Sequence, residues 1–285
     1  MTIELLLDRY SYLPGDIMKG ICNFNLQGNK HTVSLTFMGI ELIKPMYGKY
    51  LCAADTKSKI LFKETQIIFK GKGQEITQDF SFKVPECPPS FRSDHGIIEY
   101  YIKATIHKKF KSETFKALFQ VDHHDLIPLS DSMEVDLHHS ANYLNGEVLF
   151  NIKLNKTFLL TTELKSIQLT IDITNNSKRI VQFITIELVQ ETTYKAGRHV
   201  AMDKNQLFYD ALPIIVKQDS QCSNSSLIIP KNIFFPSFKG NYINYHYKII
   251  VECGFSKSKK KFHHEIQIVV GHAFDEAKQI SQHRF

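Results

Sequence analysis

The chain has 285 residues, 43% hydrophobic and 22% charged, with 21 Phe, 12 Tyr and no Trp, which excludes a disordered or collagen-like polymer and allows one large or two medium domains with an aromatic core. A formal net charge of +6 with 13 neutral histidines suits an anionic partner such as a membrane face or a phosphorylated peptide without requiring one. Five dispersed cysteines without a Cys-x-x-Cys pair read as reduced and structural, and without a basic leader or an apolar run of about 20 residues neither a signal peptide nor a spanning helix is expected.

In chain order, Ile3, Leu5 and Leu7 alternate with Glu4, Leu6 and Asp8, as a strand with one buried face does. Leu13-Pro14-Gly15-Asp16 predicts a tight turn, because Pro fixes φ and Gly accepts a positive φ. Met18, Gly20, Cys22, Phe24 and Leu26 then share one face, and Val33, Leu35 and Phe37 open the next strand. Residues 44 to 60 break the rhythm and are expected to form an exposed loop. Alternation resumes at Ile60 to Phe69, and Gly71-Lys72-Gly73 turns the chain into Phe80, Phe82 and Val84. A proline corner at Pro85, Pro88 and Pro89 leads to a strand with Ile98, Tyr100 and Ile102 on one face, and Phe115, Ala117, Phe119 and Val121 close the first half. The polar, aperiodic stretch Asp122 to Asp136 reads as a connection between domains.

The second half repeats the pattern from Val148-Phe150-Ile152-Leu154 to Ile266-Ile268-Val270, with a turn at Asn175-Asn176-Ser177 and a long polar excursion over 195 to 225. Three matches in the same order point to duplication. Ile40-Glu41-Leu42-Ile43 answers Ile186-Glu187-Leu188-Val189, Pro89-Ser90-Phe91 answers Pro236-Ser237-Phe238, and Ile98-x-Tyr100 answers Ile243-x-Tyr245. Many short β elements with tight turns and no long amphipathic helix predict two antiparallel sandwiches.

Chemistry-bearing patterns are sparse. The histidine pairs His123-His124, His138-His139 and His263-His264 invite a metal reading, but neighbours on a strand point to opposite faces and rarely share an ion. His124 and His139 stand near the connection as candidate pH-sensitive groups. Neither an elbow serine nor a paired-carboxylate site nor a phosphate-cradling loop is present, and isolated Asp and Glu residues are expected on solvent faces. The densest positive run, Ser256 to Lys261, puts Lys257, Lys259, Lys260 and Lys261 on a hairpin tip, and Lys108, Lys109 and Lys111 form the equivalent tip of the first half. Either tip could meet anionic headgroups or simply keep a turn solvated and an edge from aggregating.

Leu13-Pro14-Gly15-Asp16 with Gly20, Phe37-Met38-Gly39, Phe80-Ser81-Phe82-x-x-Pro85, Pro89-Ser90-Phe91, Gly96-Ile97-Ile98-x-Tyr100-Tyr101, Asn175-Asn176-Ser177 and Ile186-Glu187-Leu188 together resemble the arrestin domain-containing proteins, the α-arrestins, from about residue 3 to 272. The resemblance implies an all-β chain: two tandem arrestin-like (immunoglobulin-like) antiparallel β-sandwiches over 1–124 and 137–273, a hinge at 125–136 and a polar tail at 274–285. It also implies a non-enzymatic cytoplasmic adaptor, peripheral to plasma membrane or endosomes. Such an adaptor binds cytoplasmic segments of membrane-protein cargo and links them to trafficking, endocytosis or ubiquitin-ligase machinery, with no cofactor and no nucleic acid. The sequence departs from the family in lacking Pro-Pro-x-Tyr, since Pro88-Pro89 is followed by Ser90-Phe91, which puts WW-domain ligase binding in question. Leu159 to Glu163 also replace the Pro-Gly turn in the second half. An alternative is a coat-like scaffold similar to the arrestin-shaped subunit of retromer.

Overall fold

The structure, a computed structural model, describes residues 2–26, 30–44, 56–72, 75–107, 112–122, 126–127, 135–142, 146–160, 167–228, 235–256 and 261–273. Among them all regular structure is β. The chain divides into two compact units: unit 1 comprises Met1–His124 with Thr193–Ala201 and Phe238–Asn244, and unit 2 comprises Asp125–Thr192, Met202–Ser237 and Tyr245–Phe285.

In unit 1 the strands are β1 (Thr2–Leu7), β2 (Ser11–Tyr12), β3 (Ile17–Asn25), β4 (His31–Ile43), β5 (Lys57–Gly71), β6 (Glu75–Lys83), β7 (Phe91–Arg92), β8 (Gly96–His107) and β9 (Ser112–Val121). They form a three-stranded sheet, β1-β3-β6, and a sheet ordered β2-β9-β8-β4-β5 with β7 beside β8. The expected faces are the buried ones: Met18, Cys22, Phe24, Leu26, Val33, Leu35 and Phe37 are all buried. Between the sheets lies an aromatic stack in which Phe37 meets Phe62, Phe82 and Phe119 at 4.6, 5.0 and 5.6 Å, and Tyr100 meets Phe62 and Phe119 at 5.8 and 5.9 Å. Gly15 takes the predicted positive φ of 91°, while the Asp16 amide donates to the Leu13 carbonyl at 3.0 Å and the Gly15 amide ties the turn to Val84 at 2.8 Å.

Unit 2 is built from β10 (Leu126–Ile127), β11 (Val135–Asn142), β12 (Glu147–Leu154), β13 (Phe158–Leu160), β14 (Ile167–Asn175), β15 (Val181–Ala196), β16 (His199–Val216), β17 (Ser220–Ile228), β18 (Phe238–Lys239), β19 (Ile243–Phe255) and β20 (Lys261–Ala273), a few of whose residues fall in unit 1. One sheet runs β11-β12-β14-β17 and the other β10-β20-β19-β15-β16, with β13 beside β20 and β18 beside β19. Its core joins Phe150, Ile171, Ile186, Leu188, Ile249 and Ile268. The predicted turn after β14 is organised by Asn175, fully buried, whose amide donates to the carbonyls of Arg179 and Val216 at 2.6 and 2.8 Å. Its side-chain oxygen accepts from the Ser177 amide and hydroxyl at 3.0 and 2.8 Å.

Two expectations need correction. The stretch 195 to 225 is not a polar excursion, because it holds β16 and most of β17. The alternation is hidden there because Leu207 and Phe208, adjacent in sequence, both pack against the core, so the phase breaks mid-strand. Pro213 is tolerated because β16 ends its sheet among the described residues. The supposed loop over 44 to 60 likewise gives way to β5 from Lys57 onward, and residues 45–55 lie outside the described residues.

The duplication is visible as chemistry. In unit 1 the Ser90 amide donates to the Val121 carbonyl at 2.8 Å and the Val121 amide donates back to Ser90 Oγ at 2.9 Å. In unit 2 Ser237 and Val270 exchange the same pair at 2.8 and 3.0 Å. The Tyr100 hydroxyl donates to the Pro88 carbonyl, and that of Tyr247 to the Phe235 carbonyl at 2.8 Å. The structural counterpart of Tyr100 is therefore Tyr247, two residues beyond the Tyr245 that the sequence match selected. A two-residue slip keeps every side chain on its face, so alternation alone cannot detect it.

The expectation that carboxylates face solvent fails most clearly at Glu41, which is fully buried. Its Oε1 accepts from the amides of Tyr242 and Ile243 at 2.8 and 2.7 Å, and its Oε2 from the amide and side-chain nitrogen of Asn241 at 2.9 and 3.1 Å, all within unit 1. Four donors make a buried carboxylate tolerable where an unpaired one is not. Glu41→Gln would turn one of these acceptors into an NH2 group facing N–H donors. We expect a loss of about 3 kcal/mol, seen as a lower urea midpoint at unchanged slope; an unchanged midpoint contradicts this role.

Candidate functional site

Of the basic tips the structure describes one residue. Lys108, Lys109, Lys111, Lys257, Lys259 and Lys260 lie outside the described residues. Lys261 opens β20, exposed, with its Nζ 3.1 Å from a carboxylate oxygen of Glu252 and 5.8 Å from the Phe183 ring centre.

A second basic surface, unannounced by any charge run, covers the outward face of the five-strand path in unit 1. Because Leu35, Phe37, Ile102 and Ala104 point inward, their neighbours must point out. The register sets them in rows from β5 through β4 and β8 to β9: Lys70, Thr32, His107 and Ser112; Ile67, Ser34, Thr105 and Thr114; Thr65, Thr36, Lys103 and Lys116; Lys63, Met38, Tyr101 and Leu118. None of these residues is acidic. The next position on β8, Glu99, is occupied by Arg92 at 3.2 Å.

The relief of this face matters as much as its charge. Ser34, Thr36 and Thr105 are 5%, 5% and 8% exposed, whereas Leu118 and Ile67 are 48% and 57% exposed. Recessed hydroxyls thus lie between long side chains in a trough. Lys103 and Lys116 are direct cross-strand partners, a like-charge pairing that costs stability. Lys116 offsets part of that cost by lying 4.1 Å from the Tyr101 ring centre, while Tyr101 donates its hydroxyl to Met38 Sδ at 3.3 Å. Lysine ammoniums beside serine and threonine hydroxyls can receive carboxylate or phosphate oxygens.

Unit 2 carries a contrasting, balanced network across β15, β19 and β20. Lys248 Nζ lies 2.7 Å from Glu191 and 2.9 Å from Glu265, with Glu191 and Lys248 only 3% and 7% exposed. His263 bridges Glu252 and Glu265 at 3.1 and 3.3 Å, and His246 meets Glu191 at 3.2 Å. Burial pulls the Lys248 ammonium pKa down, but Glu191 and Glu265 together carry it above the ordinary lysine value. Burial raises Glu252, yet hydrogen bonds from Lys261 and His263 leave it below the ordinary carboxylate value; Glu265 is lowered chiefly by its hydrogen bond with Lys248. The charges here are spent on one another, unlike those of the trough.

The nearest approach to a catalytic arrangement is Ser34 Oγ, 2.9 Å from His107 Nε2. It sits on the trough floor, and neither residue lines the cleft of about 690 Å³ that Leu6, Gly20, Ile21, Gln66, Asp79 and Phe80 border. The pair is a cross-strand hydrogen bond without a carboxylate orienting the imidazole among the described hydrogen bonds, short of the three-part arrangement a nucleophile needs. Cys22 is buried and its thiol is pushed up to about 11 by burial alone, which suits packing rather than reactivity. Of the histidine pairs, His123-His124 lies outside the described residues, His263 belongs to the ion network, and His139 faces His264 with ring centres 5.3 Å apart. No group of three or more metal-ligating side chains is found among the described residues.

Sequence reasoning missed Glu41, Glu191 and the trough. Glu191 needed the knowledge that β15 is covered on both faces, whereas Glu41 shares the inward phase of Leu35 and Phe37 and was open to alternation. The trough needed only strand pairing, since Lys63, Lys103 and Lys116 share an outward phase once Phe37, Ile102 and Ala117 are aligned.

A family model described as arrestin (or S-antigen), C-terminal domain, matches residues 145–273, and one described as arrestin (or S-antigen), N-terminal domain, matches residues 68–126. No curated protein matches the chain by overall sequence.

The network gives unit 2 a defined pH response. Glu252 and Glu265 have lowered folded-state pKa values, so their contribution is present above the ordinary carboxylate range and is lost as pH falls below that range through the folded values. Lys248→Met removes the ammonium that lowers Glu265 and faces buried Glu191, which keeps His246, and is expected to cost about 3 kcal/mol at neutral pH. Urea unfolding of wild type and variant across pH checks this: the difference should shrink in acid, and a pH-independent difference contradicts the ionic account.

Proposed function

The chain belongs to the arrestin family, as an arrestin domain-containing protein, and from that premise we propose that it is a non-enzymatic adaptor of the α-arrestin branch. Its two sandwiches, taken as 1–124 and 137–273 about a hinge at 125–136, hold a cytoplasmic segment of a membrane-protein cargo and present it to trafficking or endocytic machinery, at the plasma membrane or endosomes. The observation that supports this most is the lysine and hydroxyl trough of unit 1, a face without internal counter-charge in its four rows. Anionic segments of cargo, carrying carboxylates or phosphates, match it in charge and hydrogen-bond type. Such steering speeds encounter and weakens with salt.

The tip lysines add a second contact, to anionic headgroups. Ubiquitin-ligase recruitment through these 285 residues would use something other than Pro-Pro-x-Tyr, which they lack. A second reading, a coat-like scaffold, draws support from β16. This strand of 18 residues ends its sheet and exposes Met202, Tyr209 and Ile215 at 53%, 51% and 73%, a surface on which a partner strand can add. Purification in a stable stoichiometric complex favours the scaffold.

Two experiments test the adaptor. Proximity labelling with wild type and with Lys103→Glu/Lys116→Glu should recover membrane proteins with acidic cytoplasmic segments and lose them in the variant, with peptide affinity falling about tenfold. Recovery of soluble metabolic enzymes alone, or recovery indifferent to charge reversal, contradicts it. Changing Lys257, Lys259, Lys260 and Lys261 to Ser should weaken binding to anionic liposomes with folding unchanged, and undiminished binding at low salt refutes the headgroup contact.

A further inference from the structure

We infer that His139 and His264 form an acid-labile seam in unit 2, two imidazoles that hold one edge of the sandwich shut and part it when His264 takes up a proton. The placement follows from strand phase. On β11, Val135 and Leu137 pack against the core, and His139 has the same phase while staying exposed at the edge. On β20, Phe262, Ile266 and Ile268 are core residues, and His264 shares their face. The two rings come from opposite sheets and meet edge to face, 5.3 Å apart at 78°.

The seam is aromatic. His139 lies 5.3 Å from Phe262, which stacks on Phe150 at 4.1 Å, and Phe150 is the direct cross-strand partner of His139. Rings from β11, β12 and β20 therefore close the edge together. β11 ends its sheet among the described residues and pairs there with β12, so it can move without breaking a second ladder.

The charged groups around the pair sit behind the strands. On β20, His263 and Glu265 occupy the opposite face, with His263 held between Glu252 of β19 and Glu265. On β11, His138 and Asp136 lie on the opposite face and pair at 3.7 Å. Across from His264 on β19 stands Val251. Burial, then the proximity of His139 and of His263, pushes the His264 pKa below the ordinary histidine value, and Glu265 opposes this without reversing it. A histidine lowered in the fold binds its proton more readily when released. Its contribution is complete above the ordinary imidazole range and is lost as pH falls through that range toward the folded value. A proton on His264 would put a charge among aromatic faces, which the sheets relieve by separating.

Hydrogen exchange of the full chain, corrected for intrinsic rates, tests the seam at about pH 7.5 and pH 5.5. In wild type, β11 amides should exchange at least about tenfold faster in acid, reversibly, while β14 stays protected. His139→Phe/His264→Phe keeps aromatic packing without titration and should abolish the acid effect. Unchanged β11 protection in acid, or equal opening in the double variant, overturns the seam and assigns acid sensitivity to the carboxylate network. Should the double variant not fold, imidazole proton resonances of wild type decide. A His264 titration below the ordinary range supports the seam, and one at the ordinary value refutes it.

Discussion

The stack of Phe37, Phe62, Phe82, Tyr100 and Phe119 is the constraint on which unit 1 depends. Side chains on a strand alternate with period two, so committing these rings to the interior commits Lys63, Lys103 and Lys116 to the exterior. A one-residue slip on any of the strands would bury lysine and expose phenylalanine, an error of several kcal/mol. The surface that supports the adaptor reading is thus held in place by the core, and the cost of opposing Lys103 and Lys116 is carried by packing beneath them.

The two units use one local solution twice. A serine after the proline corner exchanges two hydrogen bonds with the last long strand of its unit, and a tyrosine hydroxyl closes the corner's carbonyl, at Ser90 and Tyr100 and again at Ser237 and Tyr247. The units differ in what they do with charge. Unit 2 pairs Glu191, Lys248 and Glu265 internally, whereas the trough of unit 1 leaves its ammoniums without acidic neighbours in register. Satisfied charges stabilise a sheet; unsatisfied ones on a recessed face have something to offer a partner.

Much of the fold was legible in the sequence because alternation and turn chemistry agree there. Met18 to Leu26, the Pro14-Gly15 turn and Asn175-Asn176-Ser177 fell where predicted. β16 was not legible, because Leu207 and Phe208 shift its phase and Pro213 mimics a break. The Tyr100 counterpart was displaced by two residues, an error that parity hides. The candidate site was less legible than the fold. Charge density drew attention to the lysine runs at the tips, while the trough lysines are scattered over β5, β8 and β9 and converge only through pairing. Glu191 looked like a solvent-facing carboxylate because burial of a strand on both faces is a tertiary property, whereas Glu41 has the inward phase of Leu35 and Phe37 but takes its donors from Asn241 to Ile243, about 200 residues away in sequence.

The central claim is that the outward face of unit 1 receives an anionic cargo segment. Its most direct measurement is amide and side-chain chemical-shift mapping of the full chain titrated with an acidic peptide and with a neutral peptide of equal length. The account predicts shifts centred on Thr36, Lys103, Thr105 and Lys116 with the acidic peptide, diminishing as salt is raised. Shifts elsewhere with these positions silent, or equal shifts with the neutral peptide, would contradict it.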